Sequence, residues 1–265
     1  MSSPADRLLL EAVTVARGGR PVVRDLSIEI PAGEVTALLG PNGAGKSSLV
    51  LAIGGVLKPT AGRIVLGDLE LAGKRPEKIR KAGVAIVPEG RRLLRQLTVE
   101  DNLRIATYTL PRSQAEAARA RALELFPELE KRLTAPASSL SGGEQQMVVL
   151  AQALVSEPRY IIIDELSLGL APVIVNRLIP TIRHVAESGI GVLLIEQFVT
   201  VALGLAKGAH IMESGRLQYS GSTAELREHP EKLHSAYLLR GSEAADSAAA
   251  AATRKPPETA AAREP

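Results

Sequence analysis

The sequence contains no cysteine and no tryptophan, and aromatic residues make up only 2% of its 265 residues. Without cysteine, a disulfide framework, a thiolate-ligated zinc site and thiol catalysis are excluded, and the absence fits a reducing compartment. With so few rings, the core has to be built from Leu, Val, Ile and Ala. No run approaches the ~18 consecutive apolar residues that a membrane-spanning helix needs. The first residues, Met1 to Arg7, mix acidic and polar side chains and do not read as a secretory signal. A link to a membrane is therefore expected to run through a partner. A concentrated basic stripe is missing too. The formal net charge is +3, and the basic residues are spread along the chain apart from a modest cluster at Arg91, Arg92 and Arg95. Nucleic-acid binders gather such residues on one element, so nucleic acid is not an expected partner.

Hydrophobic residues make up 45% and charged residues 23%, in a chain long enough to bury a sizeable core. Short apolar runs alternate with longer amphipathic stretches, the pattern of an α/β fold. Strands are expected at 8–15, 26–30, 35–39, 64–66, 84–87, 160–163, 192–195 and 211–213. Several are apolar throughout, as strands buried on both faces are. Between Glu100 and Val155 the composition turns helical, which reads as an insertion between two parts of one sheet-based core. From Gly241 onward only small, charged and proline residues remain, and 241–265 is expected to be a disordered, Ala-rich tail.

The densest local signal is Gly40-Pro41-Asn42-Gly43-Ala44-Gly45-Lys46-Ser47, a full match to G-x-x-x-x-G-K-[ST]. It follows the apolar run 35–39 and precedes a helical stretch over 48–53 that opens with Ser48. Glycines let the backbone wrap closely around phosphates, and successive N–H groups at a helix N-terminus bind anions. Lys46 is expected to reach the β- and γ-phosphates, and the Ser47 hydroxyl to ligate Mg²⁺. Nucleotide binding follows.

Downstream, Tyr160-Ile161-Ile162-Ile163-Asp164-Glu165 is an apolar strand that ends in two acids. Seen alone it is a strand followed by a polar turn. With a phosphate loop upstream, Asp164 is expected to hold Mg²⁺ through water. Glu165 is expected to orient or deprotonate the attacking water. Just before that strand stands Leu140-Ser141-Gly142-Gly143-Glu144-Gln145-Gln146. Ser141 and Glu144 form a capping-box pattern, opening a helix with Met147, Leu150, Ala151 and Leu154 on its apolar face. Capping does not explain two adjacent glycines, which cost backbone entropy unless something approaches closely.

At these residues the sequence resembles the ATP-binding subunits of ABC transporters, whose signature reads LSGGQ. The resemblance covers roughly residues 8–240. It implies an α/β P-loop NTPase core with a mostly parallel sheet, an N-terminal antiparallel β region and a helical subdomain at about 89–156, within an ATP-binding domain of 1–240. It also implies ATP and Mg²⁺, and a head-to-tail dimer, of two copies or with a paralogous ATPase. In that dimer Ser141, Gly142 and Gly143 of one subunit close over the ATP held by the other's phosphate loop. Membrane permease subunits are the implied direct partners, with a solute-binding protein acting through them, at the cytoplasmic face of the membrane.

Further segments resemble the ATP-binding subunits of branched-chain amino-acid importers: 87–92, 97–103, 167–172 and Glu196-Gln197. Urea or amide importers stand behind that reading. Three replacements fit this subfamily, one of them Ala171 in place of an Asp in the loop between the two sites. Glu89 stands where many ABC ATPases place a Gln that touches Mg²⁺ and water, and Gln197 stands where many have a His on the γ-phosphate. Two others are peculiar to this chain. The loop at 16–19 lacks the usual adenine-stacking aromatic, so Arg17 either stacks its guanidinium there or is a solvated loop residue. Leu166 replaces a Pro after Glu165, which is expected to loosen that turn. Leu93, Leu94 and Leu97, ahead of a helix capped by Thr98 with Asp101, either meet a membrane subunit or pack the helical insertion. The alternatives carried beside the importer motor are a nucleotide-binding regulatory module with weak hydrolysis and the ATPase of a urea or amide importer; a soluble ABC ATPase acting on nucleic acid is disfavoured, because it would carry two cassettes or a long coiled-coil insertion.

Overall fold

A computed structural model describes residues 7–231 and 233. The expected tail at 241–265 lies outside the described residues.

The chain opens with a long antiparallel hairpin, β1 (Arg7–Arg17) and β2 (Arg20–Pro31), joined by Gly18 and Gly19. Both glycines have positive φ, 54° and 77°, as a two-residue hairpin turn with the strands' own twist requires. Arg17 therefore ends a strand, where the sequence suggested a loop. β2 also begins well before residue 26, because the hairpin carries its polar half into pairing. β1 pairs in turn with β4 (Ala61–Leu66), and β5 (Leu69–Glu70) completes this four-stranded antiparallel sheet.

The second sheet has six strands, in the order β10-β9-β3-β8-β7-β6. These are β3 (Val35–Leu39), β6 (Val84–Val87), β7 (Tyr160–Asp164), β8 (Gly191–Glu196), β9 (Gly208–Glu213) and β10 (Arg216–Ser222). Strands β6, β7, β8, β3 and β9 run parallel, and β10 returns antiparallel on the edge. Helices α1 (Lys46–Ile53), α2 (Pro76–Lys81), α6 (Pro172–Glu187), α7 (Val199–Leu205) and α8 (Thr223–Glu228) lie between or after the strands. The helical stretch expected from composition contains α3 (Val99–Ala106), α4 (Arg112–Leu125) and α5 (Gly142–Leu154). Thr98 caps α3 as expected, its Oγ1 accepting from the Asp101 N–H.

Strands β3, β7 and β8 are buried at every residue, and alternate side chains serve two different apolar layers. Leu39, Ile163 and Leu194 face one layer, shared with Val99, Leu103, Phe126 and Met147 of the helical segment. Leu38, Ile162 and Leu193 face the other, shared with α1 and the antiparallel sheet. That two-sided burial is the reason these strands carry no polar residue in their interior apart from Thr36. The fully buried aromatics are Phe126 and Tyr160, and aliphatic side chains fill the rest of the core.

Candidate functional site

The phosphate loop spans the gap between the end of β3 and the start of α1. A Cβ at Gly45 would stand 2.3 Å from the Val22 carbonyl oxygen, and one at Gly40 would stand 2.2 Å from that of Met212. Both glycines are demanded by neighbouring strands, which press on the loop from behind. Gly43, with φ +81°, has nothing within 4 Å of that position and is open on the other side. The Ala44 side chain is buried in the core, so this residue offers only backbone to a ligand. The N-terminus of α1 has no side-chain cap and no acidic residue in its first turn. Its N–H groups suit an anion.

Lys46 is 5% exposed, and its Nζ donates to the carbonyl oxygens of Gly40 (2.7 Å) and Pro41 (3.0 Å). Burial lowers its pKa, against the opposing pull of Glu165, Asp164, Glu196 and Glu89. The lysine thus sits at one end of a carboxylate group set. Asp164 ends β7, and burial, then the charges of Glu165 and Glu89, push it up to about 6. Glu165 is raised by burial and by Glu89, with Lys46 opposing. Carboxylates held this way favour a cation or a shared proton. Among the described residues no group of three or more His, Asp or Glu has metal-holding geometry. A Mg²⁺ that takes one or two protein oxygens and completes its shell with phosphates and water fits such a set.

Glu165 adopts φ +58°, a conformation non-glycine residues avoid, while its N–H donates to the Ile195 carbonyl oxygen at 2.9 Å. Leu166 is fully buried among the helices packed on the sheet. Where the resemblance places a proline, this turn carries a buried side chain.

Lys46, Ser47, Ser48, Asn42, Glu165 and Gln197 line one cleft of about 510 Å³. Arg17 stands at its edge, exposed, and shares it with Gly43 and Glu89. An adjoining cavity of about 630 Å³ shares Arg17, Ser47 and Glu89 and adds Asp164. The structure thus brings together the expected phosphate-loop, carboxylate and late-strand residues. Ser141, Gly142 and Gly143 line neither cavity. They open α5 elsewhere, with Ser141 Oγ accepting from the Glu144 N–H at 3.2 Å and Glu144 Oε2 accepting from the Ser141 N–H at 2.8 Å. A Cβ at Gly143 would come within 2.9 Å of Ile174, and one at Gly142 within 3.0 Å of the Arg91 guanidinium. The close approach that two glycines imply is made here by the chain's own side chains.

The role of Glu196 was not legible in the sequence. Glu196, at the end of β8, is 1% exposed, and its carboxylate accepts from both the N–H and the hydroxyl of Ser167. The signal was present: β8, like β7, is an apolar strand closing on an acid.

A family model described as ABC transporter matches residues 23–167. The high-affinity branched-chain amino acid transport ATP-binding protein BraG of Pseudomonas aeruginosa is 37% identical over 231 residues, covering 87% of this chain and 99% of that protein. The lipopolysaccharide export system ATP-binding protein LptB of Escherichia coli K12 is 33% identical, covering 82% and 91%. A solved structure described as an ATP-binding subunit of an ABC transporter superposes with a TM-score of 0.75 at 30% identity, covering 85% and 93%. A nucleotide-free ATP-binding cassette of an ABC transporter shares the fold, with a TM-score of 0.77 at 24% identity over 85% and 96%. The sheet and the phosphate cleft define an ATP-hydrolysing cassette. The chain belongs to the ABC transporter family, as one of its ATP-binding subunits. No helix among the described residues is long and apolar enough to cross a membrane.

Proposed function

We propose that this ATPase energises the uptake of branched-chain amino acids, as one of a pair of ATP-binding subunits beneath a membrane permease. The observation that carries the substrate class is the 37% identity to a branched-chain amino-acid transport ATP-binding protein along nearly its whole length. The presence of Glu89 and Gln197 in the cleft, as in the subfamily the sequence resembles, supports the same reading. A lipopolysaccharide-exporting ATPase at 33% identity keeps an export motor as the second reading.

In the proposed reaction ATP lies on the N-terminus of α1, with Gly40, Pro41, Asn42, Gly43, Ala44 and Gly45 around its phosphates and Arg17 toward the base. Lys46 leaves the carbonyl oxygens of Gly40 and Pro41 and turns its charge to the β- and γ-phosphates. Ser47, Asp164 and Glu89 would hold Mg²⁺, which would supply charge neutralisation on the transferring phosphoryl group. Glu165 accepts the proton of the attacking water or orients it, and Gln197 donates a hydrogen bond to the γ-phosphate. Ser48 adjoins the phosphates through the helix start. A second copy, or a paralogous subunit, closes from outside, its Ser141, Gly142 and Gly143 capping the nucleotide. The exposed apolar Leu168, Val173 and Phe198 around this face support a protein partner there.

The permease is proposed to dock beside the 630 Å³ cavity, at the cytoplasmic face, where Leu94, Leu97, Ile105 and Tyr108 are exposed. Leu93 is half-buried and packs on the core, so only part of that leucine cluster is free. The domain reading is residues 1–240 as the ATP-binding unit with its helical part at about 89–156.

The test is ATP hydrolysis in liposomes holding this chain and its permease subunits, with solute-loaded binding protein supplied outside. Stimulation by leucine, isoleucine or valine, lost with Lys46→Ala, is expected. Stimulation by urea, short amides or lipopolysaccharide alone would overturn the substrate class.

A further inference from the structure

A single side chain outside the phosphate cleft reaches two segments that the proposed reaction needs. Arg91 follows Glu89 by two residues and lies in a turn with two successive left-handed residues, Gly90 at φ +83° and Arg91 itself at φ +48°. An arginine in that left-handed region is strained and persists only where its surroundings hold it. Here they do. Its Nη2 donates to the carbonyl oxygens of Leu168 (2.7 Å) and Gly169 (3.2 Å), in the loop that follows Glu165. The same guanidinium lies on the first turn of α5. A Cβ at Gly142 would meet Nη1 at 3.0 Å, and a Cβ at Gly169 would meet Nη2 at 3.4 Å. Glycine at both positions makes room for one planar group.

We propose that Arg91 is a positioning residue for ATP hydrolysis. It ties the Glu89 turn to the loop after Glu165 and to the glycine-lined start of α5. The inference rests on the reading of Glu165 and of Ser141, Gly142 and Gly143 as parts of the ATP site. The three segments belong to different stretches of sequence, and the guanidinium hydrogen-bonds one and lies against another. Its fork suits the task, because Nη2 donates to two adjacent carbonyl oxygens while Nη1 lies beside Gly142, so one planar group spans both segments. A lysine ammonium in its place would be a single mobile point charge. When Glu89 moves with the γ-phosphate, the turn moves with it, and the guanidinium carries that displacement to the loop after Glu165, which lines this chain's own cleft through Leu168, and to the start of α5. Arg91 touches neither cleft and leaves ATP binding on the phosphate loop to other groups.

The test uses the full chain with its permease subunits and compares Arg91→Met, Arg91→Lys and the native residue. Met keeps much of the apolar stem and removes the guanidinium. Measured are the Kd for MgATP, kcat and KM for phosphate release, and the melting temperature. With Arg91→Met, kcat is expected to fall on the order of tenfold or more, as loss of positioning allows, while Kd stays within about twofold. Arg91→Lys is expected to recover part of kcat. Native kcat in Arg91→Met would overturn the proposal. So would a loss of kcat, Kd and melting temperature together in both variants, which marks a merely structural brace. Glu165→Gln, measured alongside, separates the two levels: full hydrolysis in that variant overturns the site reading itself.

Discussion

Glu196 holds Ser167 by both of that residue's donors: Oε1 accepts the backbone N–H at 3.0 Å and Oε2 the hydroxyl at 2.8 Å. The pair is buried, and it fixes the chain two residues beyond Glu165. Burial raises the Glu196 pKa, while the two bonds from Ser167 pull it down. Removing one partner leaves the other without its bond in a dry place.

Ser167→Ala is therefore expected to cost about 2 kcal/mol of folding stability, a typical value for a hydrogen bond to a charged group. Hydrolysis should fall as well, because the strained backbone of Glu165 loses its neighbouring anchor. Urea denaturation and phosphate release measure the two effects, and unchanged values in both would show that the bond holds nothing in place.

The glycines of the phosphate loop should separate into two kinds. Gly45→Ala drives a Cβ to 2.3 Å from the Val22 carbonyl oxygen, so the variant is expected to lose its folded loop and melt well below the native chain. Gly43→Ala meets no protein atom within 4 Å. It carries only the cost of positive φ, about 1 kcal/mol, and is expected to stay folded while binding ATP more weakly. Melting curves with and without nucleotide distinguish the two.

Acid should destabilise the chain partly through His210. It is buried on β9 with Nδ1 2.8 Å from Ser220 Oγ, and burial lowers its pKa from 6.5 to about 4. Above pH 6.5 both the folded and the unfolded imidazole are neutral, and the group has no effect. As pH falls from there toward 4, the unfolded chain takes up a proton that the folded chain refuses, and stability drops by about 3 kcal/mol. His210→Gln is expected to flatten this part of the stability profile. An equally steep loss in the variant would place the acid sensitivity elsewhere.

Much of the site is legible in sequence because phosphate chemistry demands contiguous residue types. Gly40 through Ser47 must lie together on one loop, and Asp164 and Glu165 must close one strand. The buried strands are legible for a similar reason, since two-sided burial leaves a solid apolar run. What escaped reading depends on contacts far apart in the chain. Arg91 meets Leu168 77 residues away, and Glu196 meets Ser167 29 residues away. The acid closing β8 is visible locally, but nothing local marks its partner or that of Arg91. β10 escaped because it is an edge strand whose alternate residues are exposed, and so it offers no apolar run. Leu166 was legible only as a missing proline; that its side chain is buried depends on packing from the helices on the sheet.

In the proposed function, Glu165 drives ATP hydrolysis at a site whose ATP affinity comes from the phosphate loop. The most direct test is steady-state phosphate release by Glu165→Gln, with the Kd for MgATP measured on the same preparation. The amide keeps the shape and removes the base, so kcat should fall by about 10² to 10⁴, the usual contribution of a positioned proton acceptor. The Kd should remain within about twofold of native, since the proposed binding groups are Lys46 and the α1 N-terminus. Native turnover in Glu165→Gln, or a loss of turnover that merely tracks lost ATP affinity, would contradict the account.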